Sequence, residues 1–314
     1  MQHGATTRSE HKGRQTELPR GAVLVATELG DSGSEAIARG DEWATLCGLP
    51  LVVVHVALRS DPFVPLLPHE YRPDLAIAEV PRHARNVRDQ VAAHTARRTS
   101  DFDIVIERGS PHAAIVRLAE EIAPALLVLG SSQKSSLERM LLSSIAEQIV
   151  RHAPCSVMVA RRQVSEGPVL VATDFSDAAM VALEAAREHA TKRRRELVLL
   201  HCLDVFQPVL TTFEPAAAID ATTLGSLRDA ARELGGALLA KVGVAGSVLV
   251  EVGDPARMIT AKAAELGAAM VVVATHGRTG FSRMALGSVA ESVVRSARSH
   301  VLVVRPSALG RPRP

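Results

Sequence analysis

Two short segments carry the residues best suited to grip a polyanion. Thr173-Asp174-Phe175-Ser176 closes one apolar run, and Thr275-His276-Gly277-Arg278-Thr279-Gly280 closes another before leading through Leu286-Gly287-Ser288 into a helical pattern. Glycines leave main-chain amides bare and open to close approach. A helix start at Ser288-Val289 presents unpaired N–H groups and partial positive charge to an anion. Arg278 and Arg283 add charge, and the Asp174 carboxylate suits a sugar hydroxyl. Together these are the parts of a polyphosphate cradle. Each part also has a plainer reading. Ser288 with Glu291 makes a complete capping box that needs no ligand, glycine-containing turns are common, and Asp174 is equally suited to bracing a turn. His276 is more simply a loop-bracing residue than a phosphate contact.

The elements that must position these segments occur twice. Val23-Leu24-Val25-Ala26-Thr27 returns as Val169-Leu170-Val171-Ala172-Thr173, and Ala146-Glu147-Gln148-Ile149-Val150-Arg151 returns as Ala290-Glu291-Ser292-Val293-Val294-Arg295. His55 meets His201, Gly109 meets Gly253 and Ser144 meets Ser288 in the same register, so the chain is a tandem duplication. The unbroken apolar runs that open the copies, Ala22 to Ala26 and Val169 to Ala172, read as strands buried on both faces, the habit of parallel sheets, and further strands are read over Leu51 to Val56, Asp103 to Glu107, Ala125 to Leu129 and Val157 to Ala160, with their repeats. Ser32-Gly33-Ser34-Glu35 offers a capping box for the first helix, and Ser176 a comparable cap in the second copy. Charged helices are expected around 79–98 and 220–241. Gly109-Ser110-Pro111 and Gly253-Asp254-Pro255 place a polar residue at an N-cap and proline at the first helical position. The helices that follow carry Ile115, Ala119 and Ile122, answered by Ile259, Ala263 and Leu266, on one stripe. Strands alternating with helices in each copy imply an α/β fold: two tandem doubly wound five-stranded parallel-sheet domains, with ligands collecting beyond the carboxyl ends of the strands. The expected division is a disordered tail over 1–20, domain 1 over 21–161, domain 2 over 168–306 and a tail over 307–314. The short link between the copies implies that the halves pack on each other.

Composition narrows the function classes. Among 314 residues, 36 basic and 34 acidic side chains give a net charge of +2, a mixed surface without the concentrated positive field of a nucleic-acid binder. Cys47, Cys155 and Cys202 stand far apart with no CxxC spacing, which fits small core hydrophobes in a reducing compartment better than disulfides or a zinc site. No apolar run approaches the ~20 residues of a membrane helix, and the first residues lack a signal-peptide core. The expected location is cytoplasmic, with neither nucleic acid nor membrane as partner. GxxxxGK[ST] and GxGxxG are absent from the strand-to-helix turns, as are HExxH and any Ser/His/Asp arrangement. No catalytic residue and no metal ligand is therefore assigned.

The ordered series Ala-Thr-Asp-Phe-Ser, Leu-His-Cys, Gly-Asp-Pro, Ala274-Thr275-His276-Gly277, nine residues, Gly287-Ser288-Val289-Ala290-Glu291 and His300-Val301-Leu302-Val303-Val304-Arg305 closely resembles the universal stress protein family in its tandem form. The resemblance spans Gly21 to Pro306. It implies strand order 3-2-1-4-5 and, in the members that bind ATP, a G-x2-G-x9-G-[S/T] loop. On that motif fall Ala274, Gly277, Gly287 and Ser288, with alanine in place of the first glycine. Its methyl crowds the ribose or phosphate, or is harmless where φ is negative, and both alternatives stand at this point. The resemblance further puts Asp174 on a ribose contact, Ala172 and Thr173 on the neighbouring strand end, and Cys202 beside adenine, with Arg278 and Val289 completing the expected nucleotide set. In copy one the loop reads Gly130-Ser131-Ser132-Gln133, nine residues, then Ser143-Ser144, so Gln133 and Ser143 replace glycines and Glu28 stands where Asp174 does. That copy is expected to be degenerate, although Lys134, Ser143 and Ser144 retain donors for an anion. The implied function is binding of ATP, with or without Mg2+, in domain 2, regulatory and not catalytic. A nucleotide-independent stress scaffold and a weak ATPase stay open as alternatives. No base can be named for hydrolysis, and the SGGxDS-type loop of nucleotidyl-transfer relatives is absent. The resemblance also implies that the fifth strands pair, joining the halves into an internal pseudo-dimer, with homodimerisation of whole chains left open and the protein partner unknown.

Overall fold

A computed structural model describes residues 17–57, 72–131, 144–162, 165–204, 220–275 and 286–306, the segments 72–79 and Ser144 by backbone alone. The chain divides into two compact units, Met1–Arg162 and Gln163–Pro314. In the first, β1 (Val23–Thr27), α1 (Asp31–Cys47), β2 (Leu51–Ala57), α2 (Arg72–His94), β3 (Asp103–Arg108), α3 (Pro111–Ile122), β4 (Leu126–Gly130), α4 (Ser144–His152) and β5 (Val157–Ala160) alternate strictly. The second repeats the series as β6 (Val169–Thr173), α5 (Asp177–Arg193), β7 (Leu197–Leu203), α6 (Ala221–Lys241), β8 (Ser247–Val252), α7 (Pro255–Glu265), β9 (Met270–Ala274), α8 (Ser288–Ser296) and β10 (His300–Val304).

All paired strands within each unit are parallel, in the order β3-β2-β1-β4-β5 and β8-β7-β6-β9-β10. The expected 3-2-1-4-5 order therefore holds in both domains. The apolar runs read as doubly covered strands are so, and β4 and β9 with them: Val23, Leu24, Val25, Leu127, Val128, Leu170, Val171, Val271 and Val272 are fully buried. Helices on both faces exclude water from these β-branched and leucine side chains, each contributing about 1.5–3 kcal/mol of transfer free energy. The expected stripe Ile115, Ala119 and Ile122 is buried on α3, whereas on α7 only Ile259 and Ala263 are buried because the helix ends at Glu265 with Leu266 as C-cap.

Helix starts follow the expectation in some places and depart in others. Ser176 caps α5, accepting from the Ala179 N–H, and Asp254 caps α7, accepting from the Arg257 N–H, each with its neighbour pattern as read. The Ser32–Glu35 capping box does not form. Gly30 is the N-cap of α1, and Ser32, inside the helix, donates its hydroxyl to Glu28. The Ser288–Glu291 box does not form either. Gly287 is the N-cap of α8 with no side-chain cap, and Glu291 pairs instead with Arg295 one turn on, at 3.1 Å. In both cases a glycine just upstream adopts the extended cap conformation, which moves the helix start back by one or two residues and carries the serine past the position where its oxygen could cap. α2 begins and ends earlier than the 79–98 expected. Of the cysteines, Cys155 is buried while Cys47 and Cys202 are only half-buried. No helix among the described residues is long and apolar enough to cross a membrane.

Candidate nucleotide site

In a sheet of this order the crevice lies where the chain switches sides, between β1 and β4 in domain 1 and between β6 and β9 in domain 2. Asp174 follows the last residue of β6, and Thr275 follows the last residue of β9; since the two strands are parallel neighbours, both turns leave the same rim of the sheet. The Thr275 N–H donates to the Val304 carbonyl at 3.1 Å, and the Gly287 N–H donates to the Thr275 carbonyl at 2.7 Å. The chain that leaves β9 at Thr275 thus returns to the same point, setting the start of α8 at the switch point, and among the described residues its glycine cap makes no side-chain cap hydrogen bond. Residues 276–285, including Gly277 and Arg278 of the expected set and His276 and Arg283, lie outside the described residues. The others are brought to one rim: Ala172, Thr173 and Asp174 at the end of β6, Cys202 near the end of β7, Ala274 at the end of β9, and Gly287, Ser288 and Val289 at the start of α8.

The turn carrying Asp174 is tightly built. Its carboxylate Oδ1 accepts from the Ser176 N–H at 3.0 Å and the Ser176 hydroxyl at 2.5 Å, and Thr173 Oγ1 accepts from the Phe175 N–H at 3.0 Å. Phe175 itself sits at φ +63. A bulky L-residue in that left-handed region carries a cost of roughly 1–2 kcal/mol, which these hydrogen bonds offset. Asp174 therefore does brace a turn, and the same bracing holds the carboxylate at the rim.

Ala274 is absent from the residues at positive φ, as is Gly130, its counterpart in domain 1. The alanine is thus unstrained, and what the glycine of domain 1 provides is space. A Cβ on Gly130 would collide with the backbone carbonyl of Ser32 in α1. The strands part differently as well. β1 and β4 stay paired through Ala26 and Leu129, whereas β6 and β9 stop at Val171 and Val272, leaving Ala172 and Thr173 beyond the last pair. The domain 2 crevice opens one residue deeper, and a methyl at Ala274 is compatible with that looser junction.

Domain 1 fills the same turn with its own side chains. Glu28 takes a hydrogen bond from Ser32. From α2, Gln90 reaches over the turn, bonding Thr27 Oγ1 at 2.6 Å, the Gly30 carbonyl at 3.0 Å and the Ser34 hydroxyl at 3.0 Å. His55 stacks on His83 with ring centroids 5.1 Å apart. Burial, partly opposed by the Thr27 carbonyl, lowers the His55 pKa from its ordinary value.

Burial first, then the carboxylates of Glu251, Asp254 and Asp204, push the Cys202 thiol up to about 12. So raised, the thiol is protonated at neutral pH.

The sequence profile of the universal stress protein family matches residues 20–161 and again 167–305. The chain belongs to the universal stress protein family. A universal stress protein of Mycobacterium bovis is 28% identical over 296 residues, covering 91% of this chain and 97% of the relative. One of Mycobacterium tuberculosis is 30% identical over 223 residues, 65% of this chain and 73% of its own. Among solved structures, a universal stress protein from Archaeoglobus fulgidus superposes with a TM-score of 0.63 at 22% identity, covering 92% of this chain and 99% of that one, a likeness that speaks for the fold.

Three features of this universal stress protein were not read from its sequence. The positive φ of Phe175 and of its counterpart Leu29, at +66, carries no glycine or asparagine signal. Gln90 is one of many polar residues on α2, and only the tertiary fold shows that it spans the turn. Arg161 and Arg305, each directly after a fifth strand, are buried. Arg161 donates to the Ser131 hydroxyl at 2.9 Å, and burial lowers its guanidinium to about 10. The repeat of arginine at this one position in both copies is the signal that could have marked them.

Proposed function

We infer that this universal stress protein is a cytoplasmic stress-response protein that binds adenine nucleotide, ATP in the first place, in domain 2, and that it acts by binding and signalling without efficient chemistry. The observation that carries the reading is the 2.7 Å bond from the Gly287 N–H to the Thr275 carbonyl, which returns an uncapped helix start to the rim that also bears Asp174. Helix N-terminal amides free of a capping side chain favour phosphate, and the family motif covers Gly277, Gly287 and Ser288. The deeper parting of β6 from β9 supports domain 2 over domain 1, whose turn is spanned by Gln90 and Glu28. Any Mg2+ would be carried chiefly by the nucleotide phosphates, as is usual for this cation. Slow hydrolysis at most is expected, because no side chain is assigned as a base for attack on the γ-phosphate.

A melting scan of the full chain against ATP tests this. A ligand selective for the folded state at about 100 times its Kd adds roughly 2.7 kcal/mol, read as an upward shift of the domain 2 transition. Gly287→Arg, which puts a long side chain at the bare helix start, is expected to abolish the shift while the unliganded transition remains. Wild-type protein that shows no shift at millimolar ATP would remove the reading.

A further inference from the structure

Asp174 is aimed by a turn that one histidine anchors from outside. His201, near the end of β7, places Nδ1 2.8 Å from the Thr173 carbonyl. A carbonyl only accepts, so Nδ1 carries the hydrogen and donates. The same imidazole meets the Phe175 ring with centroids 4.4 Å apart and planes tilted by 41°. His201 thus grips the residue before Asp174 by its backbone and the residue after it by its side chain, and Phe175 is the one held at φ +63. Domain 1 repeats half of the device. His55 Nδ1 lies 2.9 Å from the Thr27 carbonyl and Leu29 sits at φ +66, but the His55 ring stacks on His83 and Glu28 is turned onto Ser32. The left-handed turn and its backbone anchor therefore belong to the fold, whereas the ring clamp beside an aspartate is confined to domain 2.

We propose that His201 and Phe175 form a positioning clamp that holds the Asp174 carboxylate in register for the ribose hydroxyls of a bound nucleotide. The proposal rests on the nucleotide reading of domain 2 and adds to it the source of ribose selectivity. Strain at a bulky residue persists only where the surroundings over-determine it, and such residues gather at ligand clamps. Here the over-determination is explicit: Thr173 Oγ1 on the Phe175 amide, Ser176 on Asp174, and the imidazole on both flanks. With the ring contact gone, the turn loses the packing that offsets the strain at Phe175, and the carboxylate drifts. A drifting carboxylate costs the ribose hydroxyls and leaves base and phosphates alone.

The test compares ATP with 2′,3′-dideoxy-ATP by calorimetry on the full chain. Wild-type protein is expected to prefer ATP by on the order of tenfold, the scale of a hydrogen bond to a charged group. His201→Ala and Phe175→Gly, the latter relieving the backbone strain while deleting the ring, are expected to bring that ratio close to one through loss of ATP affinity, with dideoxy-ATP held within about twofold. Phe175→Tyr, which keeps the ring, restores the preference. Equal weakening of both nucleotides marks a merely structural role and overturns the proposal, as does an undiminished ratio in both variants. A wild-type ratio of one overturns it while nucleotide binding stands, and wild-type protein that binds neither nucleotide sinks the domain 2 reading with it.

Discussion

Acidification from pH 6.5 to 4 is expected to strip about 3 kcal/mol from domain 2 through a single side chain, His189. It lies on α5, is 8% exposed, and its pKa is lowered from 6.5 to about 4. Burial is the main cause, with Arg195 and Lys192 acting in the same direction and Glu188 against them. The unfolded chain takes up a proton on this group near 6.5, the folded chain only near 4, so between those values the unfolded state binds more protons. The stability it contributes is complete above 6.5 and falls steadily as pH drops to about 4, below which no more is lost. Roughly 1.4 kcal/mol for each pH unit over that window gives the stated figure. Urea unfolding at pH 7 and pH 4.5 checks it. Wild-type domain 2 should show a much lower midpoint at the acid end, and His189→Leu, of similar volume and without a proton to take up, should lose clearly less. An identical acid response in the variant would show that other groups carry the loss.

Gly130→Ala is expected to destabilise domain 1 by about 3 kcal/mol, at the upper end of what overpacking a close junction costs. The added methyl would strike the Ser32 carbonyl in the first turn of α1, a backbone atom that cannot swing aside as a side-chain tip can. Relief requires α1 to move off β4, against the burial of Ala36 and Ile37 on that helix. The reciprocal change, Ala274→Gly in domain 2, removes an unstrained methyl from a junction already parted and should shift stability by no more than about 1 kcal/mol. Thermal unfolding of the two variants beside wild type reads the contrast. Comparable losses in both would show that the two strand ends are packed alike and would withdraw the argument that the domain 2 crevice is the more open.

These expectations show where sequence reading holds and where it stops. The duplication and the strand series were legible because they rest on patterns fixed locally, namely apolar runs covered by helices and prolines at helix starts, whereas the 3-2-1-4-5 order followed only from the resemblance to the family. The repeat of a histidine near the end of each second strand, His55 and His201, was visible in the register of the copies, while their bonds to the Thr27 and Thr173 carbonyls were not. The capping boxes failed for a local reason shared by the first helix of copy one and the last helix of copy two: a glycine that takes the cap position stands just before the serine, Gly30 near Ser32 and Gly287 beside Ser288.

By itself the sequence determined the family and the two α/β domains, since the motifs that mark the family and the strand and helix series are set by short-range propensity and periodicity. Tertiary structure alone decided that Asp174 and the start of α8 share a rim, that Gly130 is required for space and not for φ, that Gln90 spans the domain 1 turn, and that His201 bonds the Thr173 carbonyl and meets the Phe175 ring. Each of these depends on atoms brought together across the sheet from distant stretches of chain, and a contact of that kind leaves no period or spacing for a one-dimensional pattern to carry.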